Sequence, residues 1–157
     1  MKKLLFIISL IVFQVNIYSQ NKPSYPESKI GFKRVDLILP KLDNEKNYKV
    51  EVSFGLEANV YECSVSSFSF NIKNLKKEYG IQPYRFPFYL IENNLVEITE
   101  SKNSNCVSEK KIIKKIISEQ NISIEYQSYY PVPFFIPENW TLEYRIWQTS
   151  EKFTTVK

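Results

Sequence analysis

Apolar residues fall on every second position along much of the chain. Tyr48, Val50, Val52, Phe54 and Leu56 alternate without interruption, which predicts a strand with one face on a core. Val35, Leu37 and Leu39 give a shorter run ended by Pro40, and Asp43 to Asn47 reads as a polar turn between the two. Gly55 admits a bend or bulge near the end of the longer strand. Tyr61, Cys63 and Val65 share one parity, but Phe68, Phe70 and Ile72 take the other, so a bulge or loop is expected at Ser66-Ser67.

Further on, Leu75 to Pro83 is a polar connection with a turn at Tyr79-Gly80. Tyr84, Phe86, Phe88 and Leu90 alternate around Pro87, which points to an edge or a bulge. Glu92-Asn93-Asn94 turns the chain into Leu95 to Ile98. The run 99–106 (Thr-Glu-Ser-Lys-Asn-Ser-Asn-Cys) then has no apolar residue before its cysteine, so it is expected to stand out as an exposed, extended loop. Lys110 to Ile117 is ambiguous: Ile112, Ile113, Ile116 and Ile117 make a helical stripe, which pattern alone slightly favours, while their β-branching favours a strand. Ile122, Ile124 and Tyr126 read as a strand, and the prolines of Tyr129 to Pro133 speak against regular pairing there. Phe134 to Ile136 and Trp140 to Trp147 resume strand character. The last strand has apolar groups on both faces, as if a second subunit covers it. Together these elements predict a single all-β sandwich or barrel.

At 157 residues, 43% hydrophobic and 15% aromatic, the chain has enough apolar matter for one core. Met1-Lys2-Lys3, the apolar run Leu4 to Val15 and the small residue Ser19 have the form of a secretory signal. Residues 1–20 are therefore expected to be removed, leaving 21–157 as one domain with no membrane anchor. The formal charge of +4 loses Lys2 and Lys3 with the signal, and what remains is too little to argue for nucleic acid. The lysines at 110, 111, 114 and 115 read as a solvated face. In an oxidising compartment the two cysteines, Cys63 and Cys106, are most simply a disulfide. Such a bridge closes a loop of about 44 residues and is worth roughly 4 kcal/mol.

The chain has no histidine, which removes the usual general base, the Ser-His-Asp and Cys-His pairs and most zinc sites. No P-loop, GxGxxG or GxSxG occurs, and the glutamates sit scattered on strand positions. No metal or cofactor is expected, and an enzyme is the less economical reading. A secreted binding module for a glycan or a protein, built on aromatics such as Tyr129, Tyr130, Phe134 and Phe135, is the alternative. For those aromatics, core or dimer contacts are the favoured role.

Several segments carry a resemblance in the same order and at closely matching spacing. These are Tyr25-Pro26, Gly31 with Lys33-Arg34, Lys49 to Val52, Cys63, Tyr79-Gly80, Tyr126 to Pro131, Pro137-Glu138-Asn139 and Tyr144-Arg145-Ile146-Trp147. The chain resembles the ecotins, secreted bacterial inhibitors of chymotrypsin-fold serine proteases. The resemblance implies a periplasmic β-sandwich homodimer that exchanges C-terminal arms, here about 147–157. It places the reactive bond between Asn103 (P1) and Ser104, with Lys102 as P1 in the alternative register. Thr99, Glu100, Ser101, Lys102 and Asn105 complete the loop, and Val65, Ser66 and Ser67 form its supporting segment. It also implies a second protease contact, made by the other protomer, at Glu78, Tyr79, Gly80, Ile81 and Gln82 and at Glu125, Tyr126, Gln127, Ser128 and Tyr129. For Lys110 to Ile117 it implies a strand. The familiar pattern has Met at P1 and basic residues where Glu125 and Tyr129 stand, so a different protease preference is expected.

Overall fold

The computed structural model describes residues 25–81, 85–102, 108–150, 152 and 155–156. The expected signal segment, Gln82, the Asn103–Ser104 bond, Asn105, Cys106 and most of the expected C-terminal arm beyond 150 lie outside the described residues.

Among the described residues ten strands form two sheets. β1 (Phe32–Leu37), β9 (Val132–Pro137), β5 (Pro87–Ile91) and β4 (Leu75–Tyr79) make the smaller one, in that order. The larger has the order β10 (Trp140–Gln148), β2 (Tyr48–Tyr61), β7 (Lys111–Ser118), β3 (Ser64–Ser69), β6 (Glu97–Lys102), with β8 (Ile122–Glu125) also paired to β2. Neither sheet closes into a barrel, so the sandwich alternative holds. Pairing is antiparallel except for β5 with β9 and β3 with β7.

β2 organises the fold. Its inward residues Val50, Val52, Phe54, Leu56, Ala58 and Val60 are all buried, so the alternation continues for two more positions, Ala58 and Val60, beyond the five that first suggest it. Trp140 closes the core from β10, its ring 5.1 to 5.7 Å from those of Phe54, Phe68 and Phe70. On the facing sheet Tyr89 stacks on Phe134 at 4.9 Å. Apolar burial of this kind is the main stabilising term of such a sandwich.

Gly55 makes no bend: β2 runs straight through it. A Cβ there would lie 2.2 Å from Thr141 Oγ1, so glycine is needed because β10 lies so close across the outer face. The break in this region belongs to the neighbouring strand. Ile117 faces Gly55 and Ile122 faces Val52, five steps on one side against three on the other, so β7 and β8 are one strand interrupted by two extra residues. The buried Ser118 hydroxyl fills the gap. It accepts the Phe54 N–H at 3.1 Å and donates to the Gln120 carbonyl at 2.6 Å. Its one proton being so engaged, the 3.0 Å contact with Ser53 is a bond that Ser53 donates.

Three expectations are corrected. The chain turns at Glu62-Cys63, not at Ser66-Ser67: β3 passes through both serines, and the parity change arises because Tyr61 and Val65 are on different strands. The Lys110 to Ile117 region is strand β7, with Ile116 buried and Ile113 exposed, as the resemblance implied and the helical stripe did not. Pairing also continues through Pro133, which lies opposite Asp36. The parallel ladder to β5 begins only at Phe134, so proline's missing N–H costs it no bond there. Pro87 is the first residue of β5, a position that proline tolerates.

Candidate functional site

β6 is exposed along its whole length and forms the outer edge of the larger sheet, paired on its inner side to β3. The register sets Val65 opposite Ser101, Ser66 opposite Glu100 and Ser67 opposite Thr99. The segment expected to support the reactive loop is thus its direct β-partner over the first three residues. β3 pairs with β7 in register only at Ser67 and Phe68, and toward its start it is held against β2 and β7 by side chains, with Ser64 buried there. Val65 is 77% exposed, whereas Phe68 is fully buried.

The stems on either side of residues 103–107 are both fastened to the β2–β3 turn. On the upstream side, Glu100 Oε2 accepts the Tyr61 N–H at 3.1 Å, and the Lys102 ammonium lies 4.0 Å from the centre of the Tyr61 ring. On the downstream side, Ser108 donates to Glu62 Oε2 at 3.1 Å and Glu62 N–H donates to the Lys110 carbonyl at 2.9 Å. Lys111, opposite Tyr61 in register, holds its ammonium 4.7 Å from the same ring. Lys102 and Glu109 bridge the two stems directly at 3.1 Å. The turn itself is stiffened by Ser64, which donates to the Tyr61 carbonyl at 2.8 Å, and by Lys114, which donates to the Ser64 carbonyl at 3.0 Å. The lysine run is therefore not simply a solvated face, because Lys111 and Lys114 brace this turn and Lys115 pairs with Glu143 at 2.5 Å.

The second group of expected contact residues gathers at the other end of the sandwich. Phe86 joins its two segments: its carbonyl accepts the Gly80 N–H at 3.0 Å, and its ring lies 6.5 Å from Tyr129 and 3.8 Å from Tyr130. Tyr79, Ile81 and Tyr129 are 57%, 69% and 66% exposed. Tyr126 and Ser128 face inward. Tyr126 donates to the Pro40 carbonyl at 2.5 Å, and Ser128 donates both its N–H and its hydroxyl to Glu45. A cleft of about 290 Å³ between Tyr89 and Glu125 separates the two sheets here. Burial, with the charges of Tyr79 and Glu125 adding to it, pushes the Tyr89 hydroxyl up to about 12. Glu78 pairs in register with Phe88 rather than with Tyr89, on the opposite face from Tyr79.

The two surfaces lie at opposite ends of β2. Glu125 faces Lys49 at its start and Tyr61 ends it, twelve residues later, a span of roughly 40 Å at about 3.3 Å per residue. Along the half nearer Lys49 runs β10. Its Tyr144, Ile146 and Trp147 are exposed, and Arg145 forms a two-pronged ion pair with Glu51 at 2.8 and 3.0 Å.

Of the aromatics considered for a glycan platform, Phe134 and Phe135 are buried and Tyr130 packs on Phe86, which leaves Tyr129 alone as an exposed ring. Tyr61, Glu62, Glu109 and Phe86 escape the sequence reading because their partners are tens of residues away. The one local hint is the charged run from Glu109 to Lys111 immediately after the polar loop. Among the described residues no group of three or more side chains is placed to hold a metal, and no helix is long and apolar enough to cross a membrane.

Known proteins bear on this arrangement. The ecotin family profile matches residues 21–149. An ecotin-like protein of Methylobacillus flagellatus is 30% identical over 136 residues, covering 86% of this chain and 80% of its own. An ecotin of Pseudomonas fluorescens is 24% identical over 82% of this chain and 76% of its own, and one of Pseudomonas putida 24% identical over 85% and 80%. The chain belongs to the ecotin family, a family of secreted protease inhibitors and not of enzymes.

Proposed function

We propose that the protein inhibits chymotrypsin-fold serine proteases by offering residues 99–106 to the protease cleft as a substrate held in place. The carrying observation is the exposed edge strand β6 with both stems of the adjoining segment fixed to one turn. An extended, already ordered strand pairs with a protease without the entropy loss of a flexible substrate. Asn103 is P1 and Ser104 follows the scissile bond. In favour of this register over Lys102, the Lys102 ammonium is already engaged by Glu109 and the Tyr61 ring and would have to leave both to enter an acidic pocket.

Cys63 lies in the turn that anchors both stems, and a disulfide to Cys106 adds a covalent tie at the same place. The protein acts as a homodimer joined through its C-terminal arms. One protomer's reactive segment and the other's surface around Tyr79, Ile81 and Tyr129 grip a single protease. The roughly 40 Å between the two surfaces of one chain favours such sharing, and the second contact adds affinity through effective concentration. Export through the signal segment delivers the mature chain, from about residue 21, to the periplasm.

The test is titration of the mature protein against trypsin-, chymotrypsin- and elastase-type enzymes, with mass mapping of the slowly cleaved bond. Tight inhibition of at least one, with cleavage after Asn103, is expected. Failure against all three overturns the proposal, and cleavage after Lys102 overturns the register.

A further inference from the structure

We infer that Tyr61 is a positioning residue for the reactive bond: its ring and backbone, with Glu62 beside it, form a non-covalent clamp that keeps the two stems at a fixed separation. The inference rests on the reading of 99–106 as a reactive segment, and it assigns a role to residues outside that segment and its disulfide.

The clamp has contacts on both sides. The upstream stem is held by the Tyr61 N–H on Glu100 and by the Lys102 ammonium on the Tyr61 ring. The downstream stem is held by Lys111 on the same ring, by Ser108 on Glu62 and by the Glu62 N–H on the Lys110 carbonyl. Two cations sharing one ring is the informative feature. Like charges this close repel, so both stay only because the π face of the ring attracts them and Glu109 lies against Lys102. Glu109 is largely exposed, so that ion pair alone is weak and the ring carries more of the restraint. Tyr61 can serve both stems because it ends β2, whose earlier residues are locked between β10 and β7.

A protease that cuts a bond between restrained stems releases neither end, so the new termini stay in contact with the enzyme. Loosening one stem lets the cut ends drift apart and turns an inhibitor into a slow substrate. The clamp therefore governs how fast the segment is consumed more than how strongly it first docks.

The experiment compares the mature chain with Tyr61→Leu, Tyr61→Phe and Lys111→Gln. The last leaves β2 and the protease-facing residues untouched, should Tyr61→Leu fold poorly. Expected for Tyr61→Leu is a three- to tenfold faster cleavage of the segment by an inhibited protease, with a smaller change in the inhibition constant. Faster amide exchange across 99–102 and 108–111 should accompany it. Lys111→Gln should shift in the same direction by less, and Tyr61→Phe, which keeps the ring, should match the parent. Unchanged cleavage and exchange in both Tyr61→Leu and Lys111→Gln overturn the inference. So does a Tyr61→Phe variant as impaired as Tyr61→Leu. If the parent inhibits no protease, the proposed function has failed, and amide exchange alone still decides whether the clamp exists.

Discussion

The indole N–H of Trp147 donates to Glu51 Oε2 at 2.7 Å, on the same carboxylate that Arg145 grips from two sides. Three neighbours, counting the amide of Asn121 at 2.9 Å, thus converge on one outward-facing glutamate, and two of them hold β10 to β2 near the C-terminal end of β10. Arg145, and after it Trp147, hold the Glu51 carboxyl below its ordinary 4.5, and Lys115 does the same for Glu143. A carboxylate whose folded-state value is depressed stabilises the fold at pH above its unfolded value, and that contribution disappears as pH falls through the folded value. Acid should therefore loosen the β10 edge. The protection of amides 143–148, taken as exchange relative to the intrinsic rate at each pH, should fall from about pH 6 to pH 3 in the parent and lose most of that dependence in Glu51→Gln with Glu143→Gln. An equally steep profile in the double variant would remove these carboxylates as the cause.

Trp140, at the start of β10, is almost fully buried among the rings of Phe54, Phe68 and Phe70. Truncation to alanine loses the transfer energy of an indole and leaves a cavity that three rings cannot collapse into, at a cost of about 3–5 kcal/mol. Urea unfolding of Trp140→Ala should show that loss with the slope unchanged. A cost below about 1 kcal/mol would mean that the core repacks far more freely than its ring geometry suggests.

Gly55 and Thr141 give a paired test. Gly55→Ala sets a methyl group against Thr141 Oγ1 and should destabilise by about 1–3 kcal/mol. Thr141→Ala removes that oxygen, so the double variant should recover most of the loss, and a double-mutant cycle measures the coupling. Strictly additive effects would show that the strain falls elsewhere.

The sequence reveals elements whose pattern is sustained and misleads where two patterns coincide. β2 is legible because alternation over so many residues has no helical counterpart. β7 is not, since Ile112, Ile113, Ile116 and Ile117 suit both periods and only the place beside β2 decides. The turn at Glu62-Cys63 has no glycine, proline or asparagine to mark it, and Val65 happens to continue the parity of Tyr61. For the candidate site, the exposed polar run is visible from composition alone, and its supporting partner comes from the family likeness. The Tyr61–Glu62 anchors are visible only when the chain is folded, because Glu100 and Ser108 reach them across 39 and 46 residues.

Ser118 shows the same limit in a single hydroxyl. Nothing in the sequence marks it, yet it accepts the Phe54 N–H and caps the Gln120 carbonyl where β7 leaves β2. Ser118→Ala leaves a buried N–H without an acceptor, which costs about 1–3 kcal/mol. Thermal unfolding should show the loss. Faster exchange of the Phe54 amide would assign it to this bond, and an unchanged amide would point to packing instead.

Asn103 sets the last expectation, because it suits neither common kind of primary pocket. It is too polar to fill an apolar slot and has no charge for an acidic one, so affinity in the proposed complex must come largely from the backbone of the segment and from the second contact. Improving this one side chain should therefore show clearly. Asn103→Met should tighten inhibition of chymotrypsin- and elastase-type enzymes and Asn103→Lys that of trypsin-type enzymes, each by about 30-fold if P1 is worth about 2 kcal/mol. The two gains should be exclusive to their own enzymes, since each pocket rejects the other's side chain. If neither substitution moves any inhibition constant while Lys102→Asn abolishes trypsin inhibition, the bond is presented one residue earlier. Lys102 would then have to release Glu109 and Tyr61 on binding, and removing either partner would strengthen inhibition instead of weakening it.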